Sequence, residues 1–198
     1  MARDRASRPE ARSLRLFVAV EVPQGVRAVI QERVAPLRER YPRARWVPIQ
    51  NQHVTLKFLG STWPRLVEWV VATVGQVAGE HAPFETRVAG LGAFPSDRRA
   101  RVLWAGLDDA PGRMGAIASD LDRRLAEAFA PEKRPFTPHL TVARFDPPVP
   151  LAEALQGVGA ESRPFAVERL VVFRSHLQRP APVYEEVAAF PLGEPKGP

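Results

Sequence analysis

Two short stretches of the chain carry residues that could do chemistry together. The first is His53-Val54-Thr55-Leu56-Lys57-Phe58-Leu59-Gly60, the second His139-Leu140-Thr141-Val142-Ala143-Arg144-Phe145. Random placement of the four His and six Thr of this chain yields roughly 0.1 His-x-Thr triplets, a measure of how readily such motifs arise by accident. The chain has two, so the repetition is itself a signal. An unperturbed imidazole titrates near pH 6.5, so of two such groups one can be neutral while the other is protonated. That is what a paired general acid and base require. Threonine hydroxyls beside them can donate to an oxyanion and hold it between the rings. The set suits in-line displacement at phosphorus. One His takes a proton from the attacking water and the other gives one to the leaving oxygen, and the scheme requires no metal and no cofactor.

Such pairs must sit on strands. Apolar and β-branched residues alternate with polar ones in both stretches, and side chains two apart share a face. His53, Thr55 and Lys57 therefore fall on one face, with Val54, Leu56 and Phe58 behind. His139 and Thr141 share a face in the second copy, with Leu140 and Val142 behind. Strict alternation points Arg144 away from the His face, so Arg144 needs a bulge or a strand end to join it.

The rest of the chain supplies the supports. Leu14–Val22 reads as a buried strand, and apolar residues at helical spacing over Gln24–Arg40 predict a helix with a break at Pro36. A short strand is expected at Ala44–Val47, the first His strand at 52–59, and a helix over Pro64–Ala78 capped by Ser61 or Thr62. Strands are expected at Phe84–Leu91 and Arg101–Leu107 around a turn-rich loop. A third helix should cover Gly112–Phe129, with the second His strand at 138–145 and a turn or two of helix from Leu151. Strands at Phe165–Arg174 and Val183–Phe190 close the chain. The two halves follow a similar plan with one His-x-Thr each, 86 residues apart. This predicts an α+β protein of two pseudo-symmetric lobes with the His strands meeting at the cleft between them.

Composition sets the outer bounds. A chain of 198 residues with 45% hydrophobic content is one domain or two small lobes. No apolar run reaches membrane-spanning length, and no apolar signal-peptide core follows the basic N-terminus, so the expected location is cytoplasmic with no membrane partner. The absence of Cys excludes disulfides and thiolate ligands or nucleophiles. The formal charge is +6, and all but three of the 28 basic residues are Arg. Arginine favours bidentate phosphate contacts, although a biased genome or a hot habitat explains such a composition equally well. Residues 1–13 read as a disordered basic tail and 191–198 as a loose C-terminal tail, leaving 14–190 as a single bilobal domain.

The two His-x-Thr strands, the Leu-x-Phe-Leu-Gly continuation after the first, the Arg after the second and the opening Arg15-Leu-Phe-Val-Ala-Val together resemble the 2H phosphoesterases. The likeness spans roughly residues 14–190 and is greatest to the bacterial and archaeal RNA 2′,3′-cyclic phosphodiesterases, historically called 2′-5′ RNA ligases. It implies two antiparallel sheets facing a central cleft with helices outside. It implies hydrolysis of an RNA or nucleoside 2′,3′-cyclic phosphate to a 2′-phosphate, with reverse 2′-5′ ligation as a further capacity. On this resemblance His53 is the proton donor to the leaving 3′-oxygen and His139 the proton acceptor from water. Thr55, Thr141 and Arg144 hold phosphate oxygens, no metal takes part, RNA ends or cyclic nucleotides are the partners, and the protein is expected to be a monomer.

Other residues carry weaker signals. Trp46 and Phe136 are candidates for stacking on a base at the cleft mouth, and Lys57 for a substrate contact, while Phe17 reads as core. Trp63 and Trp69 are expected to pack within the second helix, and Trp104 to line core or cleft. His81 and His176 read as ordinary hydrogen-bonded or surface residues. A zinc site built from His53 and His139 lacks a third ligand at metal spacing. Arg98, Arg99 and Arg101 form a basic cluster that fits an RNA backbone or a solvated loop. Two further functions stay open at this level. One is a non-catalytic RNA-end binder. The other is a phosphodiesterase for another cyclic phosphate, such as an ADP-ribose cyclic phosphate, or for a 2′-5′ linked oligonucleotide.

Overall fold

The computed structural model describes residues 13–109 and 112–193. Of the tails expected at 1–13 and 191–198, residues 1–12 and 194–198 lie outside them, whereas Pro191 ends the last strand and Leu192 is buried in the core. Ten strands form: β1 (Leu14–Glu21), β2 (Arg45–Trp46), β3 (His53–Thr62), β4 (Phe84–Thr86), β5 (Val88–Phe94), β6 (Ala100–Leu107), β7 (His139–Val149), β8 (Phe165–Val167), β9 (Arg169–His176) and β10 (Val183–Pro191). Among the described residues four α-helices accompany them: α1 (Gln24–Arg33), α2 (Ala35–Arg40), α3 (Pro64–Glu80) and α4 (Arg113–Arg124).

The order across the main sheet is β10-β9-β1-β3-β7-β6-β5, all antiparallel, with β2 pairing the outer part of β7. Strands β4 and β8 make a separate two-stranded ladder. Two lobes are evident in this order: β10-β9-β1-β3 carries His53 and β7-β6-β5 carries His139. They are not wholly separate sheets, because Val54 pairs with Leu140 at the centre. That single bridged pair joins the two motif strands at the residue after each His. Both Val54 and Leu140 are completely buried, and burying side chains of that size stabilises by about 1.5–3 kcal/mol each.

Helices α3 and α4 pack on each other, α3 against β9 and β10, and α4 against β3. They cover the sheet face that carries Val18, Val20, Leu56, Leu140 and Val142. The helical stretch after Pro23 divides at Val34, with Pro36 in the first turn of α2, where a missing N–H costs nothing. Neither Ser61 nor Thr62 caps α3. Both remain in β3, which continues past Gly60, and Trp63 takes the cap position without a side-chain bond. Trp63 is 56% exposed and does not pack as expected, whereas Trp69 stacks in parallel on Phe129. Helix α4 ends at Arg124, yet Leu125 and Phe129 stay in the core from the following turns. The segment after Leu151 forms turns rather than a helix.

Candidate active site

Each motif strand departs from strict alternation at the same place. Along β1, the adjacent residues Val18 and Ala19 face Lys57 and Thr55, leaving Leu56 as an extra residue. Along β6, Leu103 and Trp104 face Ala143 and Thr141, leaving Val142 extra. A β-bulge one residue after each Thr therefore resets which side chains share the His face. In β7 the bulge brings Arg144 onto the face of His139 and Thr141, meeting the condition that alternation set for it. In β3 it does the opposite to Lys57. That residue is 5% exposed and turned to the core side, where its ammonium pairs with Asp122 and donates to the Ala130 carbonyl at 2.8 Å. The expectation that Lys57 shares the face of His53 is thus corrected, and Phe58, 66% exposed, takes that place.

The two imidazoles are held in matching ways. His53 Nδ1 lies 2.9 Å from the Asn51 carbonyl and His139 Nδ1 2.7 Å from the Thr137 carbonyl. In each case the acceptor is the backbone oxygen two residues upstream. A carbonyl can only accept, so Nδ1 bears the hydrogen in both rings and Nε2 is left for chemistry. In neutral His53 the Thr55 hydroxyl donates to Nε2 at 3.1 Å. Asn51 is itself anchored, its amide donating to the Pro182 carbonyl at 2.7 Å.

Aromatic rings surround each His. Phe17 stacks on His53 with centroids 4.7 Å apart, and Tyr184 meets it edge-on at 5.2 Å. Phe17 is thus both core, as its strand pattern predicts, and cleft wall. On the other lobe Phe94 meets His139 edge-on at 5.0 Å and Trp104 lies 6.2 Å away. The indole of Trp104 lies across β5, where Gly92 faces it in register, and a Cβ at Gly92 would collide with the ring. The aromatic walls lower both imidazole pKa values by excluding water. Burial pushes His53 down to about 4, opposed by the Asn51 hydrogen bond and reinforced by His139. Burial also lowers His139, opposed by the Thr137 bond and reinforced by the Arg144 guanidinium. The mutual effects place His53, His139 and Arg144 in one electrostatic neighbourhood.

All five principal candidates line a single open cleft of about 1140 Å³: His53, Thr55, His139, Thr141 and Arg144. Trp46 lines it as well, with its indole N–H donating to the Tyr41 carbonyl at 3.1 Å and the Arg38 guanidinium over its ring. Phe136 does not: it is half-buried against the core beside Gly115 of α4, held away by the Pro-rich approach to β7. The Arg98–Arg99 turn and Arg101 also stand outside the cleft, Arg101 within 3.8 Å of Asp146. His81 faces Asp120 and His176 faces Glu185, both away from the cleft. Sequence reasoning missed Phe58, Tyr184, Arg15, Arg45 and Arg179, which also line it. Phe58 is signalled only by the bulge, and Tyr184 only by the placement of β10 and β9 beside β1.

This is a two-lobed α+β fold whose paired His-x-Thr strands face one basic cleft, an arrangement suited to handling phosphate esters. Known proteins agree with it. The family model of the 2′-5′ RNA ligase superfamily matches residues 26–179. An RNA 2′,3′-cyclic phosphodiesterase of Thermus thermophilus is 33% identical over 189 residues, covering 90% of each chain. That of Methanothermobacter thermautotrophicus is 30% identical, covering 90% of this chain and 99% of its own. One from Geobacillus stearothermophilus is 33% identical over 91% of this chain, which spans 58% of that relative's length. Among solved structures, the Thermus thermophilus protein TT0787 superposes with a TM-score of 0.74 at 29% identity, covering 90% of this chain and 98% of its own. Escherichia coli LigT complexed with 3′-AMP gives 0.70 at 24% identity over 91% and 98%, a likeness of fold alone. The chain belongs to the 2′-5′ RNA ligase superfamily.

Proposed function

We propose that this chain hydrolyses the 2′,3′-cyclic phosphate of an RNA end or nucleotide to a 2′-phosphomonoester without a metal. The observation that carries the reading is the matched pair of imidazoles. Both are pinned through Nδ1 to a carbonyl two residues upstream, and both stand in one cleft with a threonine on the same face. The names of the relatives in Thermus, Methanothermobacter and Geobacillus support the substrate class.

The cyclic phosphate lies between the two rings, its non-bridging oxygens taking hydrogen bonds from Thr55, Thr141 and Arg144. His139 Nε2 takes a proton from water as the water oxygen bonds to phosphorus. The bond from phosphorus to O3′ breaks, and His53 Nε2 delivers a proton to O3′. The phosphate stays on O2′, one proton enters and one leaves the pair, and a proton exchange with solvent resets it. His53 is neutral at pH 7 in the free protein, so it needs help to act as donor. The anionic phosphodiester, arriving within a few ångströms, favours the imidazolium and supplies it. The exposed ring of Phe58 and the indole of Trp46 offer faces for a base.

The test is incubation with a nucleoside 2′,3′-cyclic phosphate in excess chelator, with the product identified by phosphorus NMR. A 2′-phosphomonoester is expected. Full turnover by the His53→Ala, His139→Ala double variant would refute the reading. Salt-sensitive binding of such ends with no turnover would instead favour an RNA-end binder.

A further inference from the structure

Arg45 and Arg144 stand directly opposite one another in the β2–β7 register. Residues so paired share a sheet face with Cα atoms roughly 4.5–5.5 Å apart, and like charges there destabilise the pair unless anionic groups neutralise them. Neither makes an ion pair among the described residues, and no Asp or Glu lines the cleft that holds both. Several arginines elsewhere on the molecule do have acidic partners, among them Arg40 with Glu153, Arg124 with Glu80, Arg169 with Glu21 and Arg174 with Glu185. Arg15 and Arg179 line the same cleft, so four arginines border a space that no carboxylate among the described residues lines.

Arg144 shares its face with His139 and Thr141 and is committed to the reacting phosphate. Arg45 stands one strand further out, beside Trp46, another residue of the cleft lining. A group that must be reached from Arg45 while the reacting phosphate is held at Arg144 lies one sugar away. We infer that Arg45 forms a second phosphate subsite, which takes the 5′-phosphate of the nucleotide bearing the cyclic phosphate. The preferred substrate is then a polynucleotide end, or a 5′-phosphorylated nucleotide, over a simple nucleoside 2′,3′-cyclic phosphate. This inference rests on the phosphodiesterase reading above and adds to it the part of the substrate that sets specificity.

The experiment compares adenosine 2′,3′-cyclic phosphate with its 5′-phosphorylated form at fixed ionic strength. The wild-type ratio of kcat/KM should favour the 5′-phosphorylated substrate by about ten-fold or more, the scale of one charge-assisted contact. In Arg45→Gln the ratio should fall towards one, and Arg45→Lys should restore part of it, because an ammonium keeps the charge but not the bidentate geometry. Circular dichroism and thermal melting establish that both variants fold. A wild-type ratio near one, or a ratio unchanged in Arg45→Gln, overturns the subsite. If neither substrate is turned over, the hydrolytic reading fails by itself. Calorimetric binding of adenosine 2′-phosphate and adenosine 2′,5′-bisphosphate to the same variants then decides the subsite by the same ratio.

Discussion

At the scale of single residues, the site turns on how two imidazoles are kept neutral and aimed. Burial lowers both from the ordinary value, His53 to about 4. In kcat/KM, which reports the free protein, the bell should therefore have its apex on the acid side of pH 6.5. In kcat, which reports the complex, the bound phosphate should move the apex alkaline. A pH–rate series on both parameters checks this, and coincident apices would contradict it. The same burial has a stability consequence. The folded protein disfavours protonated His53, so its contribution is fully present above the unfolded pKa of about 6.5 and is lost as pH falls towards 4. The loss approaches about 3 kcal/mol. Urea unfolding of His53→Gln should show a flatter stability profile across that window than the wild type. At Phe58, truncation to Ala should raise KM several-fold with little change in kcat, because a stacking face binds substrate and transition state alike.

At the scale of elements, the two bulges and the anchoring of Lys57 decide which residues meet. Lys57 extends to the core side of β3 and joins α4 through Asp122, whose carboxylate also accepts the Glu132 N–H at 3.0 Å. Lys57 donates as well to the Ala130 carbonyl. The strand of His53 is thus tied to the segment that leads into His139, which makes Lys57 a positioning residue rather than one that touches substrate. Lys57→Met should leave Asp122 without its partner and destabilise by about 1–4 kcal/mol. It should lower kcat more than it changes KM, with the Lys57→Met, Asp122→Leu double variant recovering stability. A KM effect alone would return Lys57 to the role of a substrate contact. At the join of the lobes, Leu140→Ala should cost about 2–5 kcal/mol, measurable by chemical denaturation.

At the scale of the whole molecule, the strands of the two lobes are joined by one bridged pair, Val54 with Leu140, and the cleft runs across that join. Arg15 and Arg179 come from the lobe of His53 and Arg45 and Arg144 from that of His139, so positive charge lines both walls. Affinity for oligonucleotide ends should fall log-linearly with salt, losing about 0.7 in slope for each phosphate contact removed from a single strand. Titrations at several salt concentrations with Arg15→Gln and Arg179→Gln test which arginines contribute. Among the described residues no helix is long and apolar enough to cross a membrane.

Much of this was legible in the chain. The His-x-Thr pairs and most of the order of strands and helices follow from local periodicity, which is written in consecutive residues; the expected strands Phe84–Leu91 and Phe165–Arg174 instead each divide in two, because β4 and β8 leave the main sheet to pair with each other. Beyond Trp104, the aromatic walls were not legible, because Phe17, Phe94 and Tyr184 come from three further strands brought together only by sheet order. Nor were the faces of Lys57, Phe58 and Arg144. A period of two assigns faces only while the ladder is regular, and the bulges at Leu56 and Val142 are fixed by how β1 and β6 pair with the motif strands. The sequence by itself singled out the two His-x-Thr pairs and the kind of element on which they ride. Only the tertiary structure decided which neighbours keep the imidazoles dry and which cations line the cleft, since both depend on contacts between residues far apart in the chain.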